Sequence, residues 1–317
     1  MIRTYILNNQ TLTYKDLEPL KPIPENTIWI DIKNPNDEER EWMQHLFKEE
    51  VPEEDDIDEI ESSSRFYIDT DGVHITSLFP QRKGRETESS NVLFTIHGSM
   101  LITFREEDVS IIRLLRHYLK HDRVEINDNI DIFLELQDIK VESLSDYIED
   151  SYETLEETAS QVLSDDDETI QDLLQELTFQ EETISQIRSA LFDTRKALRF
   201  LRKSITGRLS PQQFETIDNI LQDIESLLPH TQFMFDKINF QLQTAMSYTN
   251  HKQNKIIKIF SVAAVVFMPP TWIASVYGMN FKFMPELDWQ YGYPISIAMM
   301  ILSATITYLF FRRKKWL

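Results

Sequence analysis

From Ile259 to Phe281 the chain runs for 23 residues without a charge, and from Trp289 to Phe311 it does so again. At about 1.5 Å of rise per residue, each run as a helix spans a hydrocarbon core of about 30 Å. The strongly apolar part of the second run, Ile295–Phe311, is short and is expected to borrow Gln290–Pro294 at the interface. The link around Lys282–Trp289 is too brief for anything but an antiparallel hairpin. A membrane hairpin at one end leaves residues 1–250 to fold in water.

Charge divides the chain at the same place. The formal total is −21, yet from His251 onward eight basic residues meet only Glu286 and Asp288. That stretch is +6, which leaves −27 on the first 250 residues. Lys252, Lys255 and Lys258 precede the first span, and Arg312, Arg313, Lys314 and Lys315 follow the second; the loop holds one lysine. Positive-inside asymmetry then places both termini in the cytoplasm and the loop outside, as in a multi-pass protein of a bacterial inner membrane. Trp289, Tyr291, Tyr293 and Trp316 sit where an aromatic belt meets lipid headgroups. The first residues lack the apolar core of a signal peptide. The absence of cysteine excludes disulfides, thiolate zinc sites and cysteine nucleophiles. The acidic balance argues against nucleic acid as a partner. Neither GxGxxG nor GxxxxGK[ST] occurs.

A plain anchor faces lipid all round, and the first span does not read that way. Pro269-Pro270 removes two backbone donors, and Ser261, Thr271, Ser275 and Asn280 are polar. Lipid tolerates such features chiefly where protein or water satisfies them. Ile257, Phe260, Ala264, Met268, Thr271 and Ser275 recur at steps of three and four, hence on one helical face. One striped helix cannot enclose a path, whereas copies around an axis can, so a cyclic homo-oligomer is expected. The second span is more uniformly apolar and reads as lipid-facing.

The first span ends in Tyr277-Gly278-Met279-Asn280, then Phe281 and Met284-Pro285-Glu286-Leu287, with a YGYP segment and a basic KKWL ending beyond. Here the sequence resembles the CorA magnesium transporter family of the Mg/Co/Ni type. The likeness extends upstream through DIESLLPH (223–230) and QNKIIKIFSV (253–262) and over nearly the whole chain. It implies a funnel-shaped homopentameric ion channel for Mg²⁺, with Co²⁺ and Ni²⁺ as further ions, and no enzyme activity. By the same resemblance Asn280 forms a ring at the pore mouth, shaped by Gly278 and Met279. Thr271 and Met268 follow along the pore, Phe260 and Ile257 form a hydrophobic constriction, and Glu286 is the loop acid.

The residue types suit the ion. Mg²⁺ demands near-octahedral oxygen geometry and dehydrates reluctantly. Carboxamide oxygens accept hydrogen bonds from the ion's waters without stripping them, and a neutral ring releases what it captures. Asn280 also suits a helix C-cap, and Glu286 suits an ordinary solvated loop. No ATP site is required, because a divalent ion entering at about −100 mV gains roughly 4.6 kcal/mol.

The N-terminal part reads as α+β, with a mixed or antiparallel sheet and flanking helices. Strands are expected over Thr27–Ile32, Phe66–Ile68, Val73–Phe79, Asn91–His97 and Met100–Phe104, and helices over Asp37–Phe47 and Ser110–Lys120. Asn36 and Glu39 are placed as a capping pair. The pattern is helical from Ile130 to about Leu201, interrupted at Asp165–Glu168. After Gly207 and Pro211 no glycine occurs until Gly278, which allows one very long helix with Pro229 as its interior objection before the membrane. The expected organisation is an α/β domain over 1–130, a helical stalk over 131–255, a pore-lining helix over 256–281, a periplasmic loop over 282–293, a second membrane helix over 294–311 and a basic tail over 312–317.

Acidic runs at Glu53–Glu61 and Asp165–Glu168 are either solvated faces or, in an oligomer, carboxylates whose repulsion a regulatory Mg²⁺ screens; the resemblance implies such gating, and Asp223 is a weak candidate. Two readings compete. A sister family moves zinc, but zinc prefers nitrogen and sulfur ligands and the spans hold neither His nor Cys. A membrane-anchored scaffold or enzyme has only His117 and His121 as a spaced pair, with no HExxH or GxSxG.

Overall fold

Seven strands form a single sheet in a computed structural model of the chain, which describes all residues except 9–10, 18–20, 48–64, 85, 122, 163–166, 283, 287 and 315–317. The strands are β1 (Ile2–Asn8), β2 (Thr11–Leu17), β3 (Thr27–Lys33), β4 (Phe66–Ile68), β5 (Val73–Lys83), β6 (Glu86–His97) and β7 (Met100–Arg105). Their order is β2-β1-β3-β7-β6-β5-β4, and every described pair is antiparallel except β3–β7. The sheet is therefore mixed, as expected. Strands β1 and β2 were not anticipated: β2 is an edge strand with mostly exposed residues, so it lacks a hydrophobic alternation. The acidic run Glu53–Glu61 and residues 165–166 of the second run lie outside the described residues, as do Lys315 and Trp316.

The helices are α1 (Asp37–Phe47), α2 (Ser110–Lys120), α3 (Asn129–Ala159), α4 (Asp167–Ser204), α5 (Pro211–Tyr277) and α6 (Gly292–Arg313). Their starts are chemically specified. Glu39 N–H donates to Asn36 Oδ1 at 2.8 Å while Asn36 N–H donates to Glu39 Oε2 at 3.0 Å, the reciprocal box that the sequence predicts. Asp128 accepts from the N–H groups of Ile130 and Asp131 at the head of α3. Ser210 and Gln213 form a second reciprocal box around Pro211, whose missing N–H costs nothing at a first helical position.

Contacts divide the chain into two compact units, Met1–Leu242 and Gln243–Leu317. In the first, α3 and α4 pack on one face of the sheet over a core that includes Trp29, Ile75, Phe79, Phe94, Leu101 and Phe133, while Ile30, Ile32, Ile102 and Phe104 meet Trp42 of α1 in a separate cluster. Phe94 and Phe133 meet edge to face, with ring centroids 5.1 Å apart. Gly72 holds the β4–β5 turn at φ 146°, where a side chain would strike the Ile96 carbonyl.

The second unit holds the hairpin. Two helices contain stretches long and apolar enough to cross a membrane, with windows of mean hydropathy 1.8 that are only 6% buried. A soluble core helix would be mostly buried, so this exposure favours lipid or other copies as the covering. Helix α5 passes without interruption through Pro229 and through Pro269-Pro270. Prolines donate no N–H, so the i−4 carbonyls of Glu225, Val265 and Val266 lose their helical partners.

Candidate functional site

Helix α5 places the striped face. At about 100° per residue, Ile257, Phe260, Ala264, Met268, Thr271 and Ser275 cluster along one line. All six are exposed, with Phe260 at 71% and Met268 at 65%. The residues that the unit itself covers or half-covers are Val262, Ala263, Val266, Pro269, Pro270, Ile273, Val276 and Tyr277. They fall on the opposite side of the same helix. Beyond residue 250, Val262 and Ser296 alone are buried among the described residues. The hairpin thus covers the back of its first span and leaves bare the line of small, polar and flexible groups together with its apolar flanks at Val265, Phe267 and Trp272. Thr271 Oγ1 donates to the Phe267 carbonyl at 2.8 Å.

The span's end departs from a glycine or asparagine cap. Gly278 N–H donates to the Ala274 carbonyl at 2.9 Å and Met279 N–H to the Val276 carbonyl at 3.3 Å, so the ladder tightens and stops. Neither Gly278 nor Asn280 takes a positive φ, which a left-handed cap requires. Asn280 is exposed, and its carboxamide makes no hydrogen bond among the described residues. A Cβ on Gly278 would stand 3.2 Å from the Ala274 carbonyl oxygen, so a larger residue there crowds the last turn.

The loop is held by a residue that sequence reasoning missed. Gly292 opens α6, and a Cβ there would collide with the Glu286 carbonyl oxygen. Its N–H donates to the Trp289 carbonyl at 2.9 Å. The glycine in YGYP was the only available signal. Glu286 itself is exposed.

In the other unit, acids line up on α3. Asp131, Glu135, Asp138 and Glu142 recur at steps of four, three and four, hence on one face. Asp138, Glu142 and Asp223 of α5 border a groove of about 400 Å³. Burial, reinforced by Asp138, Glu142 and Asp131, pushes the Glu135 carboxyl up to about 7. Asp138 is pushed up by burial and then by Asp223 and Glu142. Among the described residues no group of three or more His, Cys, Asp or Glu is placed to hold a bare metal ion. His117 and His121, at the end of α2, have ring centroids 4.2 Å apart and tilted by 42°, and His121 Nδ1 reaches the His117 carbonyl at 2.8 Å. They form a helix-surface pair.

A seven-stranded α+β unit followed by a terminal pair of apolar, uncovered helices has the make-up of a membrane protein. Residues 24–313 match the family described as CorA-like Mg²⁺ transporter protein. The chain is 40% identical over its full length, and over theirs, to the magnesium transport proteins CorA of Haemophilus influenzae and of Escherichia coli K12. The CorA magnesium transporter structure from Methanocaldococcus jannaschii superposes with a TM-score of 0.75 at 20% identity, covering 100% of this chain and 99% of that one. The chain belongs to the CorA family.

Proposed function

We propose that this chain is the subunit of a homo-oligomeric channel, a pentamer by family resemblance, that admits hydrated Mg²⁺ down the membrane potential. The observation that carries this reading is the bare stripe on α5 ending at a free Asn280 carboxamide. A single chain leaves Met268, Thr271 and Ser275 uncovered, while symmetric copies turn them toward a common axis. In that assembly Phe260 and Ile257 form an apolar constriction below the filter, and Gly278 and Met279 shape the ring of Asn280 side chains. Water-mediated capture also suits Co²⁺ and Ni²⁺, which share octahedral hydration. Both termini lie in the cytoplasm of a bacterial inner membrane, and Glu286 in the outer loop concentrates cations.

The acidic stripe on α3 supports gating by internal Mg²⁺. Carboxylates that raise one another's pKa repel when ionised, and a divalent cation between copies relieves that repulsion. The ion then favours the state in which the acids are closest, which is the differential binding that a gate needs. Zinc is the weaker reading, since the full-length relatives are magnesium transport proteins.

The test is Mg²⁺ influx into proteoliposomes under an imposed inside-negative potential. Wild type should conduct, and Asn280→Ala should lose at least about tenfold of the flux. Equal flux in both removes Asn280 from the filter; flux in neither restores the scaffold.

A further inference from the structure

A second site lies far from the spans, in the cleft between the β1–β2 hairpin and α2. Its cavity is about 530 Å³, within the range of small-molecule sites. Arg3 and Tyr5 of β1, Tyr14 of β2, and Arg116, His117 and Lys120 of α2 line it. Residues i and i+2 of a strand share a face, as do i and i+4 of a helix, so the two elements aim their polar groups into the same space.

Its charge is out of character for the chain. Arg3, Arg105, Arg116 and Lys120 meet three carboxylates, Asp16, Asp31 and Asp108. Asp31 is 1% exposed and shared by Arg105 and Arg116; Asp16 pairs with Arg3 at 2.7 Å. Lys120 is exposed and has no ion-pair partner among the described residues. The cluster is net positive inside a protein of charge −21.

Two donors in the cleft are orphaned. Tyr5 is 3% exposed, its ring is stacked on Trp29 at 4.2 Å, and its hydroxyl has no hydrogen-bond partner. Arg3 stands beside that hydroxyl and, as a cation, can only donate toward its oxygen, so the hydroxyl proton meets no acceptor. Burial pushes the phenol up to about 12, so it carries its proton at every physiological pH. Arg116 Nε is likewise buried and unpartnered, although its Nη2 engages Asp31. Unmet buried donors are costly, and these two border one cavity. The orphaned donors and surplus positive charge call for an acceptor-rich anion. The cavity is far larger than one phosphate needs, and the Tyr14 ring, 61% exposed under the Arg3 guanidinium, offers a flat surface.

We propose that this cleft binds a nucleoside polyphosphate, its phosphates against Tyr5, Arg116 and Lys120 and its base on Tyr14. The inference does not depend on the transport reading. The test is calorimetric titration of the full-length protein in detergent with ATP, inorganic tripolyphosphate and adenosine. EDTA is present throughout, so that chelation of Mg²⁺ by phosphates cannot mimic binding. ATP should bind saturably, tripolyphosphate about tenfold more weakly, and adenosine not measurably. Lys120→Glu, at an exposed position, should weaken ATP by at least about tenfold. Tyr5→Phe should weaken ATP while raising the melting temperature of the ligand-free protein. No saturable binding of ATP overturns the site. Binding that both substitutions leave intact also overturns it, and equal affinity for tripolyphosphate overturns the nucleotide assignment.

Discussion

Lys140 is fully buried on α3, with Nζ donating to Ser77 Oγ at 2.8 Å and lying 4.4 Å from the Phe79 ring centroid. Ser77 in turn donates to Asp193, which Arg65 also holds at 2.9 Å. Burial drives the ammonium down to about 7, against the opposing pull of Asp193. The unfolded chain therefore binds more protons between about 7 and 10.5, and this residue makes stability rise with pH across that window. Lys140→Met should stabilise the protein by about 1–2 kcal/mol at pH 7, with a smaller gain at pH 10, in denaturant titrations. Glu135 has the opposite sign. Its folded-state pKa of about 7 lies above the unfolded value, so its contribution is present below about pH 4.5 and lost as pH rises through 7. Glu135→Gln should raise the melting temperature at pH 8 and leave it unchanged at pH 4. It should also shrink the stabilisation that added Mg²⁺ gives; an undiminished Mg²⁺ response would detach the α3 stripe from sensing.

Helix α5 begins at the Ser210–Gln213 box, and losing the Ser210 hydroxyl leaves the Gln213 N–H without its acceptor. Ser210→Ala should cost about 1 kcal/mol, read as faster hydrogen exchange in the first turn. At the other end of the hairpin, Gly292→Ala should force the Glu286 backbone away and reduce Mg²⁺ influx severalfold while the variant still assembles. Preserved flux would show that the loop relaxes freely. What could be read from sequence at this scale follows from physics. The boundaries of α1, α2 and β4, the α5 start and the striped face are written in short-range periodicity and caps. Strands β1 and β2 are not, because β2 faces solvent and β1 alternates poorly. The Asp31–Arg105 pair spans 74 positions in sequence, and Lys140–Ser77 spans 63, so no local pattern announces them. The motif is what makes Asn280 the proposed filter residue, while for Gly292 the YGYP segment marks the glycine but not its tight approach to Glu286.

For the molecule as a whole, the bare stripe predicts that copies associate. Chemical cross-linking in native membranes should yield a ladder ending at five subunits; a ladder that stops at one would remove the common axis. Influx should collapse when the potential is dissipated, since about 4.6 kcal/mol of driving force per divalent ion disappears at 100 mV. The double proline carries a further consequence for biogenesis. Val265 and Val266 present carbonyls with no helical donor at membrane depth, where each unmet group costs several kcal/mol. A newly inserted subunit is therefore an unstable resident of the bilayer until its sisters arrive. Cells that make too few copies to meet quickly should lose the orphan to membrane proteolysis, so the abundance of this protein should rise more steeply than its synthesis.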